Sequence, residues 1–181
     1  MRFGEYVARN GLVVEPVNRF AGFAVEITLP GGWQPFRSVQ GMWVWCQMDA
    51  SSSGAFSANA VLTMHIVADA LEEGEVFGML ADEQLHSVLN CRENYREVCQ
   101  AEDGIGLQGL LVLEISIPDF GAICSLTQSR IVRYGEETMI AQFTATALAS
   151  APPDQADFTL RVRPGAAAKG VSVWTGDVHF D

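Results

Sequence analysis

The chain has 181 residues, of which 49% are apolar, and a formal net charge of −11. That length suits one domain able to bury a single core without disulfides or metals, and the apolar fraction excludes a disordered chain. Phosphate backbones and anionic membrane surfaces require clustered Lys and Arg, which are absent here, so no nucleic-acid partner is expected.

Phe3 to Asn10 reads as a short helix with Phe3, Tyr6 and Val7 on one side and Asn10-Gly11 as its stop. Leu12 to Val17 is extended, because Pro16 drives Glu15 out of the helical region. Phe23, Val25, Ile27 and Leu29 alternate with Ala24, Glu26 and Thr28, the pattern of a strand with one dry face. Pro30-Gly31-Gly32 ends it, and Trp33 is expected to fold back over the strand end as a lid on the core.

Met42 to Met48 and Ala58 to Ala68 read as a hairpin pair around the polar loop 49–54. Trp43 and Trp45 share one face of the first strand, while Met42, Val44, Cys46 and Met48 share the other. Glu73 to Leu89 is the principal helix: Val76, Phe77, Leu80, Ala81, Leu85 and Val88 form its inward arc, and Glu75, Asp82, Glu83 and His86 face water. Tyr95 to Ala101 returns as a strand.

Gly106 to Leu148 organises the rest. Leu107 to Ile117, Ala122 to Arg133 and Thr138 to Leu148 are three strands separated only by Pro118-Asp119-Phe120-Gly121 and Tyr134-Gly135-Glu136. Links this short require antiparallel pairing, since a parallel return needs a crossover of a dozen residues or more. Apolar residues on both phases of Leu107 to Ile117 call for cover on both faces. A second helix is expected from Ser150 to Pro164, with Pro153 in its first turn and Phe158 and Val162, four apart, facing inward. The fold class read from these elements is α+β, an antiparallel sheet sandwiched by helices in an α/β/α arrangement. Residues 1–164 form one domain, and 165–181 form a tail or an added edge strand, in cis or on a neighbouring molecule, which allows a homodimer.

Cys46, Cys91, Cys99 and Cys124 form no C-x-x-C pair and have no histidine at zinc-ligand spacing, so no metal site is expected; a Cys91 to Cys99 bridge across a hairpin is one open arrangement. Gly104-Ile105-Gly106-Leu107-Gln108-Gly109 matches the letters of a dinucleotide fingerprint. The residues after it read as strand, not as the helix whose N-terminus would hold a pyrophosphate, so no cofactor is expected. His65 reads as a half-buried sheet residue, and His86 as a partner of Asp82 one helical turn away. No nucleophile elbow or zinc-protease motif appears, which leaves Cys46 with His65 on adjacent strands as the catalytic pair to test.

The N-terminal run Phe3-Gly4-Glu5-Tyr6-Val7-Ala8-Arg9-Asn10-Gly11-Leu12, followed by Glu15-Pro16-Val17 and Leu29-Pro30-Gly31-Gly32-Trp33, resembles the opening of the actinobacterial, chiefly mycobacterial, lipoprotein family LpqN/LpqT. The resemblance covers about residues 2–164 and implies a Mog1/PsbP-like domain acting as a binding or accessory module. Members of that family are typically cell-envelope or secreted lipoproteins. This sequence opens without an apolar h-region, a cleavage site or a lipid-modified cysteine, which as written reads as cytoplasmic, and no run approaches the ~20 apolar residues that span a bilayer.

Three functional readings follow. The first is a non-enzymatic binding or adaptor domain, in which Trp33, Trp43 and Trp45 line a groove for an apolar small molecule, a lipid or a protein partner. The plainer reading makes the same tryptophans core. The second is a thiol enzyme or other hydrolase built on Cys46 and His65, and the third is a structural subunit that self-associates through its tail.

Overall fold

A computed structural model of the chain describes residues 1–47, 56–119, 121–165, 170–176 and 178–180. Met48 and the expected polar loop 49–54, Phe120 of the first meander break, and residues 166–169 of the tail lie outside the described residues. In chain order the elements are α1 (Phe3–Asn10), β1 (Val14–Pro16), β2 (Phe23–Leu29), β3 (Trp33–Val39), β4 (Met42–Gln47), β5 (Asn59–Val67), α2 (Glu73–Ser87), β6 (Cys91–Gln100), β7 (Leu107–Ile117), β8 (Gly121–Tyr134), β9 (Glu137–Leu148), β10 (Thr159–Pro164), β11 (Val171–Thr175) and β12 (Val178–Phe180).

The glycine-bounded middle of the chain does fold back on itself twice. Leu107 pairs with Ile131 at one end of the β7–β8 ladder and Ile117 with Gly121 at the other, and β9 continues on the far side with Tyr134 opposite Glu137. The large sheet runs β3-β4-β5-β9-β8-β7-β6 with every pairing antiparallel. The half of β5 that β4 does not reach pairs with β1, so Val14 meets Val67 and Pro16 meets His65.

One face of this sheet is covered by the helices. Val76, Phe77, Met79 and Leu80 of α2 and Phe3 of α1 pack with Val67, Leu107, Ile131 and Ile140. Two of the acids expected to face water on α2, Asp82 and Glu83, instead clamp its neighbours, and so does Glu73 at its first turn. Glu83 accepts the Gly4 N–H at the start of α1 (3.0 Å), Asp82 accepts from the Arg96 guanidinium on β6 (3.2 Å), and Glu73 accepts the Arg133 N–H (2.9 Å). His86 does not pair with the Asp82 carboxylate; its Nδ1 lies 2.6 Å from the Asp82 carbonyl, to which it donates.

The other face carries a second, smaller sheet in the order β10-β2-β11-β12. Here the expected helix from Ser150 to Pro164 is corrected to strand, and helices do not lie on both faces. Pro152 and Pro153 precede a tight turn in which Asp157 and Phe158 donate to the Asp154 carbonyl, and the chain then extends as β10. Leu160 and Val162 point inward while Arg161 and Arg163 stay exposed, an alternation of period two that the spacing of Phe158 and Val162 equally allows. β11 pairs in cis and parallel with β2, Val171 opposite Val25 and Thr175 opposite Leu29.

Between the two sheets lies the largest core: Val25, Ile27 and Leu29 of β2 and Leu160 and Val162 of β10 meet Leu62, Met64, Met139, Ala141 and Phe143 of the large sheet. Each of these side chains contributes roughly 1.5–3 kcal/mol by leaving water, Ala141 less. Apolar core therefore lies on both faces of the sheet, but the face of β7 and β8 turned away from the helices also carries Gln108, Gln128 and Arg130, so the cover that the two-phase apolar pattern of β7 calls for is only partly dry there. The class is α+β, with the two helices on one side of a mostly antiparallel sheet.

Candidate functional site

Trp33, Trp43 and Trp45 converge. Trp33 is the first residue of β3, opposite Gln47, and Trp43 and Trp45 lie on the same face of β4, opposite Leu62 and Ala60. A chain of rings ties two of them into the core: Trp45 edge-to-face on Phe143 (centroids 6.3 Å), Phe143 tilted on Phe158 (6.3 Å) and Phe158 edge-to-face on Trp33 (5.2 Å). Trp33 is only 7% exposed and Trp45 3%, so both are core members as well, whereas Trp43 is half-buried.

These rings form the floor of an open cleft of about 620 Å³ at the edge of the sandwich. One wall is the edge strand β3, through Pro35 and Phe36; the other is β11, through Val171, Val173 and Thr175. The volume falls in the range of about 300–1,000 Å³ typical of small-molecule sites. Phe36 is 71% exposed, the most exposed aromatic side chain on this rim, beside a bulge between Pro35 and Arg37 that breaks the β3–β4 register. A bulge and a proline on an edge strand both blunt indiscriminate strand pairing.

Cys46 and His65 do not meet. Cys46 is opposite Asn59, and His65 lies six positions further along β5, roughly 20 Å away at ~3.3 Å per residue. Burial pushes the His65 imidazole below its ordinary pKa and favours the neutral ring. Cys91 and Cys99 occupy the two ends of the single strand β6, so the bridge between them is excluded by distance; all four cysteines are free thiols.

The glycine-rich stretch serves packing. Gly106 takes φ 64°, and a Cβ there would stand 2.2 Å from the Ile131 carbonyl oxygen. At Gly109, inside β7, a Cβ would stand 2.2 Å from the Phe77 ring of α2. These glycines let a loop close on β8 and let a helix lie on the sheet. The strand β7 follows, and no helix N-terminus is there to receive a phosphate. Among the described residues no group of three or more His, Cys, Asp or Glu side chains is placed to hold a metal, and no helix is long and apolar enough to cross a membrane.

Two helices on one side of a seven-strand run, a small mixed sheet on the other and an aromatic-floored cleft at the sandwich edge define an α+β fold with a ligand-sized opening. Among solved structures this fold is similar to the crystal structure of LpqN, described as involved in cell envelope biogenesis of Mycobacterium tuberculosis, with a TM-score of 0.68 over 83% of this chain and 87% of that one at 10% identity. The LpqN-like relationship expected from the N-terminal motifs is thus present in the three-dimensional fold, at an identity that speaks for fold alone. Two looser likenesses are to a Pseudomonas aeruginosa protein of unknown function, PA94 (TM-score 0.42, 12% identity, 66% of this chain and 85% of that one), and to the Saccharomyces cerevisiae Ran-binding protein Mog1p (TM-score 0.41, 10% identity, 68% and 74%). No family model and no curated protein matches the sequence.

Proposed function

We propose that this chain is a non-enzymatic binding module whose ligand is apolar and seats on Trp33, Trp43 and Trp45 between β3–β4 and β11. The observation that carries this reading is the convergence of three tryptophans from two strands on one open, mainly apolar cleft. Trp33 and Trp45, anchored by their ring contacts, supply a rigid floor, so little side-chain entropy is lost when a ligand lands. Trp43 supplies the face that remains reachable.

An apolar chain on this floor removes aromatic surface from water at about 25 cal/mol per Å². The separation of Cys46 from His65 weighs against the thiol-enzyme alternative. An apolar side chain of a protein partner is a second reading, supported by Phe36, which stands 71% exposed on the rim of the cleft.

The test is a tryptophan-fluorescence titration with n-decanol, an uncharged alkyl probe, on the parent protein and on Trp43→Ala, with circular dichroism to confirm folding. Saturable change in the parent, weakened at least fivefold in the variant, is expected. A spectrum indifferent to the probe, or equal saturation in both proteins, would overturn the reading.

A further inference from the structure

A second cleft, unrelated to the tryptophans, lies where the edge strand β10 of the small sheet meets β7, β8 and the turn between β6 and β7. It measures about 770 Å³ and is lined by Glu102, Asp103, Gln108, Gln128, Arg130, Gln155, Thr159, Arg161 and Arg163. The chain carries 11 Lys and Arg against 22 Asp and Glu, yet three arginines converge here. A chain of net charge −11 has no general reason to gather cations in one concave place.

Arg130 is the built part of the site. It is 3% exposed, and its Nη2 donates to both Asp103 carboxylate oxygens (2.9 and 3.1 Å) and to the Ile105 carbonyl (2.7 Å). Asp103 in turn accepts the Ile105 N–H at 2.9 Å, which fixes the turn that holds the guanidinium. A guanidinium has five N–H donors. Among the described residues the buried Nε–H of Arg130 has no acceptor, and no hydrogen bond leaves Nη1. A buried charged donor left without an acceptor is costly, and groups of this kind mark places where something else completes the set.

Two further cations stand beside it on the exposed face of β10. Arg163 is paired with Glu26 through Nε at 3.0 Å. Arg161 is exposed and makes no ion pair among the described residues. Thr159 precedes them on the same face and lines the cleft with Gln155, adding hydroxyl and amide donors. The Gln128 amide donates to the Phe158 carbonyl (2.6 Å) and its oxygen accepts the Leu160 N–H (2.8 Å), so the edge of β10 is held rigidly against β8. Of the two acids on the wall, Asp103 is already engaged by Arg130, and Glu26, opposite Arg161 on β2, is held by Arg163, which leaves Glu102 as the acid not engaged by an arginine.

We infer that this cleft binds an oxyanion group, a carboxylate or a phosphate, with Arg161 as the open cation and Arg130 as the fixed one. A guanidinium with unengaged N–H donors attracts either group. Arg161 contacts the anion from the exposed strand face, and Thr159 and Gln155 supply neutral hydrogen bonds at the rim.

The test is a nuclear-magnetic-resonance titration of the whole chain with sodium phosphate and, separately, sodium acetate, each against sodium chloride at matched ionic strength. Saturable movement of the Arg130 Nε–H signal and of the Leu160 and Arg161 amides with phosphate, acetate or both is expected, and the arm that saturates identifies the anion. Removing Arg130 strips Asp103 and Ile105 of a partner and endangers folding, so the deciding variant is Arg161→Gln at an exposed position. It should weaken the saturating anion about tenfold, the loss of one charge-assisted contact, while Trp43→Ala leaves that affinity unchanged. Chloride reproducing the shifts, no saturable movement with either oxyanion, or unaltered affinity in Arg161→Gln overturns the inference.

Discussion

Gly109→Ala tests the packing role assigned to the glycine-rich stretch. The added Cβ would lie 2.2 Å from Cε2 and 2.3 Å from Cδ2 of Phe77, where ordinary contact begins near 3.4 Å, so the ring or the helix beneath it must give by more than an ångström. Phe77 is 3% exposed and packed among Val76, Leu80, Leu107 and Ile131, which leaves it little room to move. Overpacking of this kind costs about 1–3 kcal/mol. For a chain of this size, each kcal/mol shifts the melting temperature by roughly 2–4 °C. Urea unfolding of Gly109→Ala, Phe77→Leu and the double variant measures the coupling. Phe77→Leu should be costly alone and nearly free in the Gly109→Ala background, giving an interaction of at least ~0.5 kcal/mol. Gly78→Ala on α2, where a Cβ meets nothing within 4 Å, should stabilise by about 0.5–1 kcal/mol and serves as the opposite-sign control. A Gly109→Ala loss below ~0.5 kcal/mol, or strict additivity with Phe77→Leu, would refute the packing account.

Three further outcomes are expected. Because burial holds His65 below its ordinary pKa, the unfolded chain binds its proton more readily; the stability this neutral ring carries is complete above about pH 6.5, the unfolded value, and is lost as pH falls toward the folded value, so His65→Gln should flatten the urea-measured stability between pH 7.5 and 5.5, and an unchanged slope would contradict the burial. Iodoacetamide followed by mass spectrometry should label exposed Cys99 before Cys46, with Cys91 and Cys124, whose thiols burial pushes up, reacting slowly; fastest labelling at Cys46 would revive the thiol-enzyme reading. Truncation after Pro164 removes the parallel partner of β2 and the Val171 and Val173 wall of the cleft, so it should lower the thermal midpoint and abolish decanol binding together, whereas a fully stable truncated chain that only elutes later on a sizing column would favour a tail devoted to self-association.

The meander, the β4–β5 hairpin, both helices and the dry face of β2 were legible because each rests on local periodicity or on links too short for any other pairing. The second layer was not legible. Phe158 and Val162 are four apart, a spacing that fits helix and strand alike; Leu160 between them, after two prolines, is the signal for a strand. β3 escaped notice because only Trp33 of its seven residues is buried, so an edge strand with Pro35 and Arg37 shows no alternation to read. The three tryptophans could be named from sequence, yet the wall facing them could not, since the parallel pairing of β11 with β2 joins segments more than 140 residues apart. The cluster of Arg130, Arg161 and Arg163 was invisible for the same reason, being assembled across two sheets.

The most direct test of the binding account is the set of indole N–H resonances during a decanol titration. Trp43, on the cleft, should shift saturably, with smaller shifts at Trp33 and Trp45 beneath it, while Trp174, on the outer face of β11 beside Arg161 and Glu26, stays fixed. Movement confined to Trp174, or four indoles that ignore the probe altogether, would contradict it.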